Sequence, residues 1–165
     1  MNLLKQCTRS ELAERARLLP RPLVFTNGVF DLLHRGHVEC LAQARRLGSS
    51  LVVGVNSDAS ARALNKGPGR PLNAAEDRAA VLAALECVAL VVVFDEPTPA
   101  ALLDELRPEV YAKGGDYSLQ TLAEADLVDR WGGRVAILGY RQGCSTTRLI
   151  QRARRSAEEP VETLP

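Results

Sequence analysis

A chain of 165 residues that is 46% hydrophobic and 25% charged suits one soluble globular domain with a sizeable core. Its Lys and Arg number 21 and its Asp and Glu 20, a net charge of +1, so it has no broad basic face for nucleic acid or an anionic membrane. No apolar run approaches ~18 residues, so no helical membrane span is expected, and the first twelve residues carry Lys5, Arg9 and Glu11 where a secretory signal would be apolar.

Residues 1–21 read as an extra helix packed outside the main fold. Residues 23–26, an apolar run after Pro22, form the first expected strand. Residues 36–47 carry Val38, Leu41, Ala42, Ala44 and Leu47 at helical spacing, with Gly48 as the C-cap. Residues 51–55 form a second strand and residues 58–64 a short helix. Residues 65–72 form a loop holding Gly67, Pro68, Gly69 and Pro71. Asn73, with Glu76 three residues on, has the form of a capping box and opens a helix to about residue 86. Residues 88–94 are apolar and rich in β-branched side chains, as a strand buried on both faces requires. Thr98 as N-cap and Pro99 at the first helical position open a helix to residue 106. Residues 110–112 form a strand running into Lys113-Gly114-Gly115-Asp116. Residues 119–131 form a helix stopped by Gly132-Gly133, residues 134–138 the last strand, and a final helix runs from Thr146 to about residue 155. Residues 156–165 form a disordered tail, leaving a single domain with its core over residues 22–155.

Five strands separated by helices predict an α/β fold: Rossmann-like and doubly wound, with a five-stranded, mostly parallel sheet and helices on both faces. Ligands of such sheets bind at the carboxyl ends of the strands. The unusual segments, residues 27–37, 56–58, 95–97, 113–117 and 139–145, each follow a strand and therefore share one edge. The four cysteines, at 7, 40, 87 and 144, form no CxxC pair, so neither a zinc cage nor a disulfide framework is expected. This is the usage of a reduced, cytoplasmic protein.

Both histidines of the chain lie in His34-Arg35-Gly36-His37, at the end of the first strand and the start of a helix. Orphan N–H groups and the helix dipole attract phosphate there. Two imidazoles one turn apart can both donate to phosphate oxygens, and Gly36 lets the backbone come close. The alternatives are a helix cap beside a surface histidine, or half a metal site completed by Asp31. Of the 21 basic residues only three are lysines. Two of these, Lys66 and Lys113, lie beside glycines in loops, where a compact ammonium suits phosphate oxygens.

The stretch Thr26-Asn27-Gly28-Val29-Phe30-Asp31-Leu32-Leu33-His34-Arg35-Gly36-His37 resembles the signature of the HxGH nucleotidylyltransferases, the cytidylyltransferase-like superfamily. Gly143-Cys144-Ser145-Thr146-Thr147-Arg148 resembles its second signature. Between them lie Lys66-Gly67-Pro68-Gly69-Arg70-Pro71, Glu76-Asp77-Arg78 and Lys113-Gly114-Gly115-Asp116-Tyr117. With these, residues 22–155 resemble the adenylyltransferase domain of ADP-heptose synthesis, in its form without a fused sugar kinase. Val29 and Cys144 depart from residues common in that subfamily, and neither position bears charge.

The resemblance implies transfer of AMP from ATP to D-glycero-β-D-manno-heptose 1-phosphate, with Mg²⁺ carried on the substrate phosphates rather than on a protein metal site. It implies His34, His37 and Lys66 as catalytic residues that meet charge in the transition state. Ser145, Thr146 and Thr147 would take the β/γ-phosphates, each hydroxyl having the alternative of a plain N-cap. Asn27, Gly28, Phe30, Asp31 and Gly36 would sit by the nucleotide, as would Lys113, Gly114, Gly115 and Asp116. Asp31 would organise the phosphate loop, cap the next helix or help hold Mg²⁺. Arg70 and Arg78 would bind the acceptor phosphate, Arg78 having the equal alternative of a solvated helix face. A homodimer is common in the superfamily. Competing readings are a glycerol-3-phosphate cytidylyltransferase, an FMN adenylyltransferase, or a nucleotide-binding module without turnover.

Overall fold

The structure, a computed structural model, describes residues 3–65, 67–115, 122–139 and 143–158. Six strands run parallel in one sheet: β1 (Gln6–Cys7), β2 (Leu23–Gly28), β3 (Ser50–Asn56), β4 (Leu90–Phe94), β5 (Val110–Gly114) and β6 (Arg134–Leu138). Their order is β1-β4-β3-β2-β5-β6. The chain winds from β2 through β3 to β4 in one direction and then crosses back to place β5 on the other side of β2. The order of strands reverses between β2 and β5, where ligands of such sheets bind.

Among the described residues seven α-helices accompany the strands: α1 (Leu12–Arg17), α2 (Arg35–Arg45), α3 (Asp58–Ala63), α4 (Ala75–Ala83), α5 (Ala100–Leu106), α6 (Ala125–Asp129) and α7 (Thr146–Glu158). One core layer packs Phe25, Val52, Val92 and Tyr111 of the sheet against Leu12 of α1, Leu102 and Leu103 of α5 and Val128 of α6. The other packs Val24, Val53 and Val110 against Leu41 and Ala44 of α2 and Ala79, Leu82 and Ala83 of α4. Alternate residues of each strand feed opposite layers, the period-2 geometry of a strand covered on both faces. Every residue of β3 is buried, which explains its unbroken apolar run. No helix among the described residues is long and apolar enough to cross a membrane.

The expected α/β sheet is present, with six strands instead of five. The added strand is β1, which pairs Gln6 with Val91 and Cys7 with Val92 at the sheet edge. Two residues carry no apolar pattern, so the sequence did not reveal it. The N-terminal segment therefore does not sit outside the fold as one helix. It supplies an edge strand and a six-residue helix whose Leu12 and Ala16 enter the core. Other corrections are local. Gly48 does not cap α2, whose C-cap is Arg46. A Cβ at Gly48 would strike the Pro22 carbonyl and Val24, so the glycine permits a close crossing. Asn73 does not begin a capping box. The N-cap of α4 is Ala74, with no side-chain cap bond, and the Asn73 amide donates to the Asp31 carbonyl instead. Helix α7 extends to Glu158, three residues past the expected end. Residues 159–165 of the expected tail lie outside the described residues.

Candidate active site

A cleft of about 490 Å³ opens at the carboxyl ends of the strands, over the seam between β2 and β5. Each of the five expected segments contributes to its wall: Asn27 to His37 after β2, Asn56 at the end of β3, Pro97 after β4, Lys113 to Gly115 from β5, and Gly139 with Cys144 to Thr147 after β6.

The histidines meet at the start of α2. His34 is the N-cap, with extended backbone (φ −139°, ψ 169°), and its Nδ1 accepts from the His37 backbone N–H at 3.3 Å. That bond assigns the Nδ1 lone pair, so the ring proton of neutral His34 sits on Nε2 and is free to donate. The two rings stack with centroids 3.8 Å apart and planes 15° apart. Burial lowers the His34 pKa, opposed by a smaller backbone hydrogen-bond effect. The helix-cap reading of His34 is therefore met, and the cap bond leaves Nε2 available as a donor.

Phe30 closes the other side of the pair. Its ring meets His37 edge-on at 5.4 Å, and a Cβ at Gly28 would lie 3.1 Å from that ring. Phe30 itself is held at φ 50°, a left-handed conformation that costs a non-glycine residue on the order of 1 kcal/mol and collects at functional sites. Gly36 lets two helix starts converge, since a Cβ there would lie 3.0 Å from the Cys144 Cβ. The N-termini of α2 and α7 therefore face the same volume, which favours an anion.

At the start of α7, Ser145 Oγ accepts from the Arg148 N–H at 3.2 Å, the plain N-cap bond. The buried Thr146 hydroxyl donates to the Leu32 carbonyl at 3.3 Å, tying α7 to the histidine loop. Thr147 is exposed, and all three line the cleft.

Asp31 is buried and fully engaged. Its Oδ2 accepts from Arg70 Nε at 2.8 Å, and its Oδ1 from the Leu72 and Asn73 N–H groups at 2.7 and 3.1 Å. It organises a loop, as expected, although the loop is the one carrying Arg70 and not the histidine turn. Arg70 lines the cleft while bound through Nε alone. Arg78 is a correction. It neither lines the cleft nor lies on a solvated face, being 2% exposed. Its guanidinium donates to the carbonyls of Asn73, Val29 and Asn56 and to the Asp58 carboxylate at 2.6–2.9 Å. Buried, and with four of its five N–H donors committed to the protein, it is a structural tie and not part of the cleft wall.

Lys113 donates to Asn27 Oδ1 and to the Tyr111 hydroxyl, both at 3.1 Å, and Tyr111 donates to Asn27 Oδ1 at 2.8 Å. A Cβ at Gly114 would lie 2.5 Å from the Cys40 sulfur, so the end of β5 packs directly on α2. Gly115, at φ 113°, turns the chain away in a conformation that favours glycine. Lys66 and Asp116 lie outside the described residues. Sequence reasoning missed Tyr111 as part of the site. The available signal was its place two residues before Lys113, on the same face of the strand.

The sheet is doubly wound with a histidine pair at its switch point, and residues 25–152 match the cytidylyltransferase-like family. The chain belongs to that family. The D-beta-D-heptose 1-phosphate adenylyltransferase of Bordetella bronchiseptica is 55% identical over 152 residues, 91% of this chain and 94% of that protein. The bifunctional protein HldE of Syntrophotalea carbinolica is 54% identical over 142 residues, or 86% of this chain, which spans 29% of HldE. The lipopolysaccharide core biosynthesis protein of Thermoplasma volcanium GSS1 superposes with a TM-score of 0.59 at 30% identity, covering 72% of this chain and 95% of that one. A pantoate-beta-alanine ligase of Francisella tularensis, 10% identical with a TM-score of 0.54 over 97% of this chain and 81% of its own, shares the fold.

Proposed function

We propose that the chain is an adenylyltransferase that moves AMP from ATP to D-glycero-β-D-manno-heptose 1-phosphate, giving ADP-heptose and pyrophosphate. The observation that carries the reading is the stacked His34–His37 pair, set where the starts of α2 and α7 face one cleft, in a chain 55% identical to a heptose 1-phosphate adenylyltransferase.

A phosphate oxygen of the sugar 1-phosphate attacks the α-phosphorus of ATP. The bond to the α,β-bridging oxygen breaks, and its electron pair leaves with pyrophosphate. The acceptor supplies the nucleophile, so the protein contributes position and charge stabilisation. Neutral His34 donates from Nε2 to oxygens whose charge grows in the transition state, and His37 works beside it. At the N-terminus of α7 the Ser145 and Thr147 hydroxyls receive the β/γ-phosphates, and Thr146, whose hydroxyl donates to Leu32, contributes its backbone N–H. Gly28, Phe30 and Gly36 shape the nucleotide wall, with Asn27, Lys113, Gly114 and Gly115 along its floor; Asp116, next in sequence, is assigned to the nucleotide as well. We assign Lys66 to the α-phosphate, and Arg70, held by Asp31 through Nε, offers its Nη groups to the acceptor phosphate. We assign Mg²⁺ to the phosphate oxygens of ATP and to water, because the oxygens of Asp31, the carboxylate beside the histidine loop, are already held by three protein donors. The protein would work as a homodimer; support for this is the edge strand β6, where Ile137 is exposed.

The test is pyrophosphate release with ATP or CTP against a panel of heptose 1-phosphate anomers, glycerol 3-phosphate and FMN. Turnover confined to ATP with the β-anomer of the heptose phosphate is expected. Turnover with CTP and glycerol 3-phosphate, or ATP binding without turnover on any acceptor, would overturn the assignment.

A further inference from the structure

Tyr111 lies below the cleft, fully buried, and packing alone does not require its hydroxyl. The ring stacks on Phe25 with centroids 6.0 Å apart and planes 25° apart, a contact a phenylalanine would make equally well. A buried hydroxyl is costly unless hydrogen-bonded, and this one joins the contacts at 2.8 and 3.1 Å that link it to Asn27 and Lys113.

Those bonds decide which way the Asn27 carboxamide faces. An ammonium has donors only, so the Asn27 atom 3.1 Å from Lys113 Nζ is the oxygen. The Tyr111 hydroxyl, accepting from Lys113, has its single hydrogen left for that same oxygen. Two donors thus converge on Oδ1, which leaves the amide nitrogen as the donor that Asn27, a residue of the cleft lining, can offer there. Strand register produces the arrangement. Phe25 of β2 lies opposite Tyr111 of β5, and Asn27 and Lys113 follow two residues later on the same face.

We propose that Tyr111 is a positioning residue for nucleotide binding: acting through Asn27, it holds the carboxamide with Nδ2 as a donor to an oxygen acceptor of ATP. The inference rests on the reading that ATP occupies this cleft, and it is independent of which acceptor receives the AMP. Without the hydroxyl, Lys113 alone restrains Oδ1, and the amide samples orientations that place an acceptor against the nucleotide oxygen.

The experiment is calorimetric titration of Mg·ATP into the full chain, with melting temperatures, for the wild type, Tyr111→Phe, Asn27→Ala and the double variant. Tyr111→Phe should weaken ATP binding about 5- to 10-fold, the scale of one net hydrogen bond, and in turnover the loss should fall on KM for ATP more than on kcat. The double variant should bind no more weakly than Asn27→Ala, because both changes remove one interaction. Asn27→Asp, which keeps the acceptor for Tyr111 and Lys113 while replacing the donor by a charged oxygen, should retain its melting temperature and lose at least about tenfold in affinity. An ATP affinity within twofold of wild type in Tyr111→Phe overturns the proposal, even if its melting temperature falls. Multiplicative losses in the double variant, or unchanged affinity in Asn27→Asp, overturn it as well. Wild-type protein that binds no ATP overturns this inference together with the site reading. ATP binding without transfer to the heptose phosphate overturns the acceptor assignment alone.

Discussion

His34 performs two tasks with its two ring nitrogens. Nδ1 caps α2 through the His37 N–H, and Nε2 is left to donate into the cleft. His34→Ala or His37→Ala should lower kcat by about 10²–10³, the loss typical of one missing oxyanion donor at about 2.7–4 kcal/mol, with a much smaller change in KM for ATP; steady-state kinetics check it. The half-buried neutral ring also fixes a pH dependence. The His34 pKa is lowered in the folded chain, by burial first, so on acidification the unfolded chain takes up that proton before the folded chain does. The stability contributed by neutral His34 is present above the ordinary histidine value and is lost as the pH falls below it. His34→Asn keeps a cap acceptor that does not titrate, so between pH 7 and pH 5 its melting temperature should fall less than that of the wild type. At this scale the sequence was informative about which residues gather at the cleft: the histidine pair, from its spacing, and the Ser-Thr-Thr run, from its resemblance to a family signature, both line it. It was misleading for Arg78, because an arginine on a helix shows nothing of the carbonyls that folding brings around it from three other segments.

The elements that hold the site are short and depend on single side chains. Arg78 ties α4 to the end of β3, the loop after β2 and the start of α3 through Asn73, Asn56, Val29 and Asp58. Arg78→Ala would leave the Val29 and Asn56 carbonyls buried and unpaired, at about 1–3 kcal/mol each. A strongly lowered melting temperature is the expected result, whereas a loss of acceptor affinity at unchanged stability would restore the substrate role that the geometry denies it. Asp31 performs the matching task for the segment that carries Arg70 and, beyond it, Lys66. Lys66→Ala should cost turnover and leave the melting temperature unchanged, since its neighbours Gly67 and Gly69 have open space around them. Lys66→Arg should restore only part of the rate, because a planar fork replaces a point charge poorly. Kinetics and thermal melts of both variants check this, and full activity in Lys66→Ala would make the lysine a solvated loop residue. Element types were legible from periodicity, but their ends were not. Gly48 and Asn73 each carried a familiar terminal signal and were used instead for a close crossing and for a tether to Asp31.

Across the whole molecule, the sheet is unevenly stitched, and the cleft lies over a sparsely paired seam inside it, as short as the edge pairing of β1 with β4. β2 pairs with β3 from Leu23 opposite Ser50 through Gly28 opposite Val55. It pairs with β5 only at Val24 opposite Val110 and Phe25 opposite Tyr111. The five unusual loops could be assigned to one edge from their order along the chain. The strand order, and with it the position of this seam, depends on long-range pairing that no local pattern encodes. A nucleotide held by the β2 loop on one side and by the β5 loop and α7 on the other would bridge the two parts. ATP at 100 times its Kd should therefore add about 2.7 kcal/mol, a rise in melting temperature of roughly 5–10 °C for a chain of this size. The gain should also be unequal. Hydrogen exchange should slow most in β5, in β6 and at the start of α7, whose contacts across the seam are few, and least in β3 and β4, which are closed within the larger part. Uniform protection across all six strands would mean that the ligand stabilises the fold as one cooperative unit. Protection confined to β3 and β4 would place the nucleotide away from the histidines.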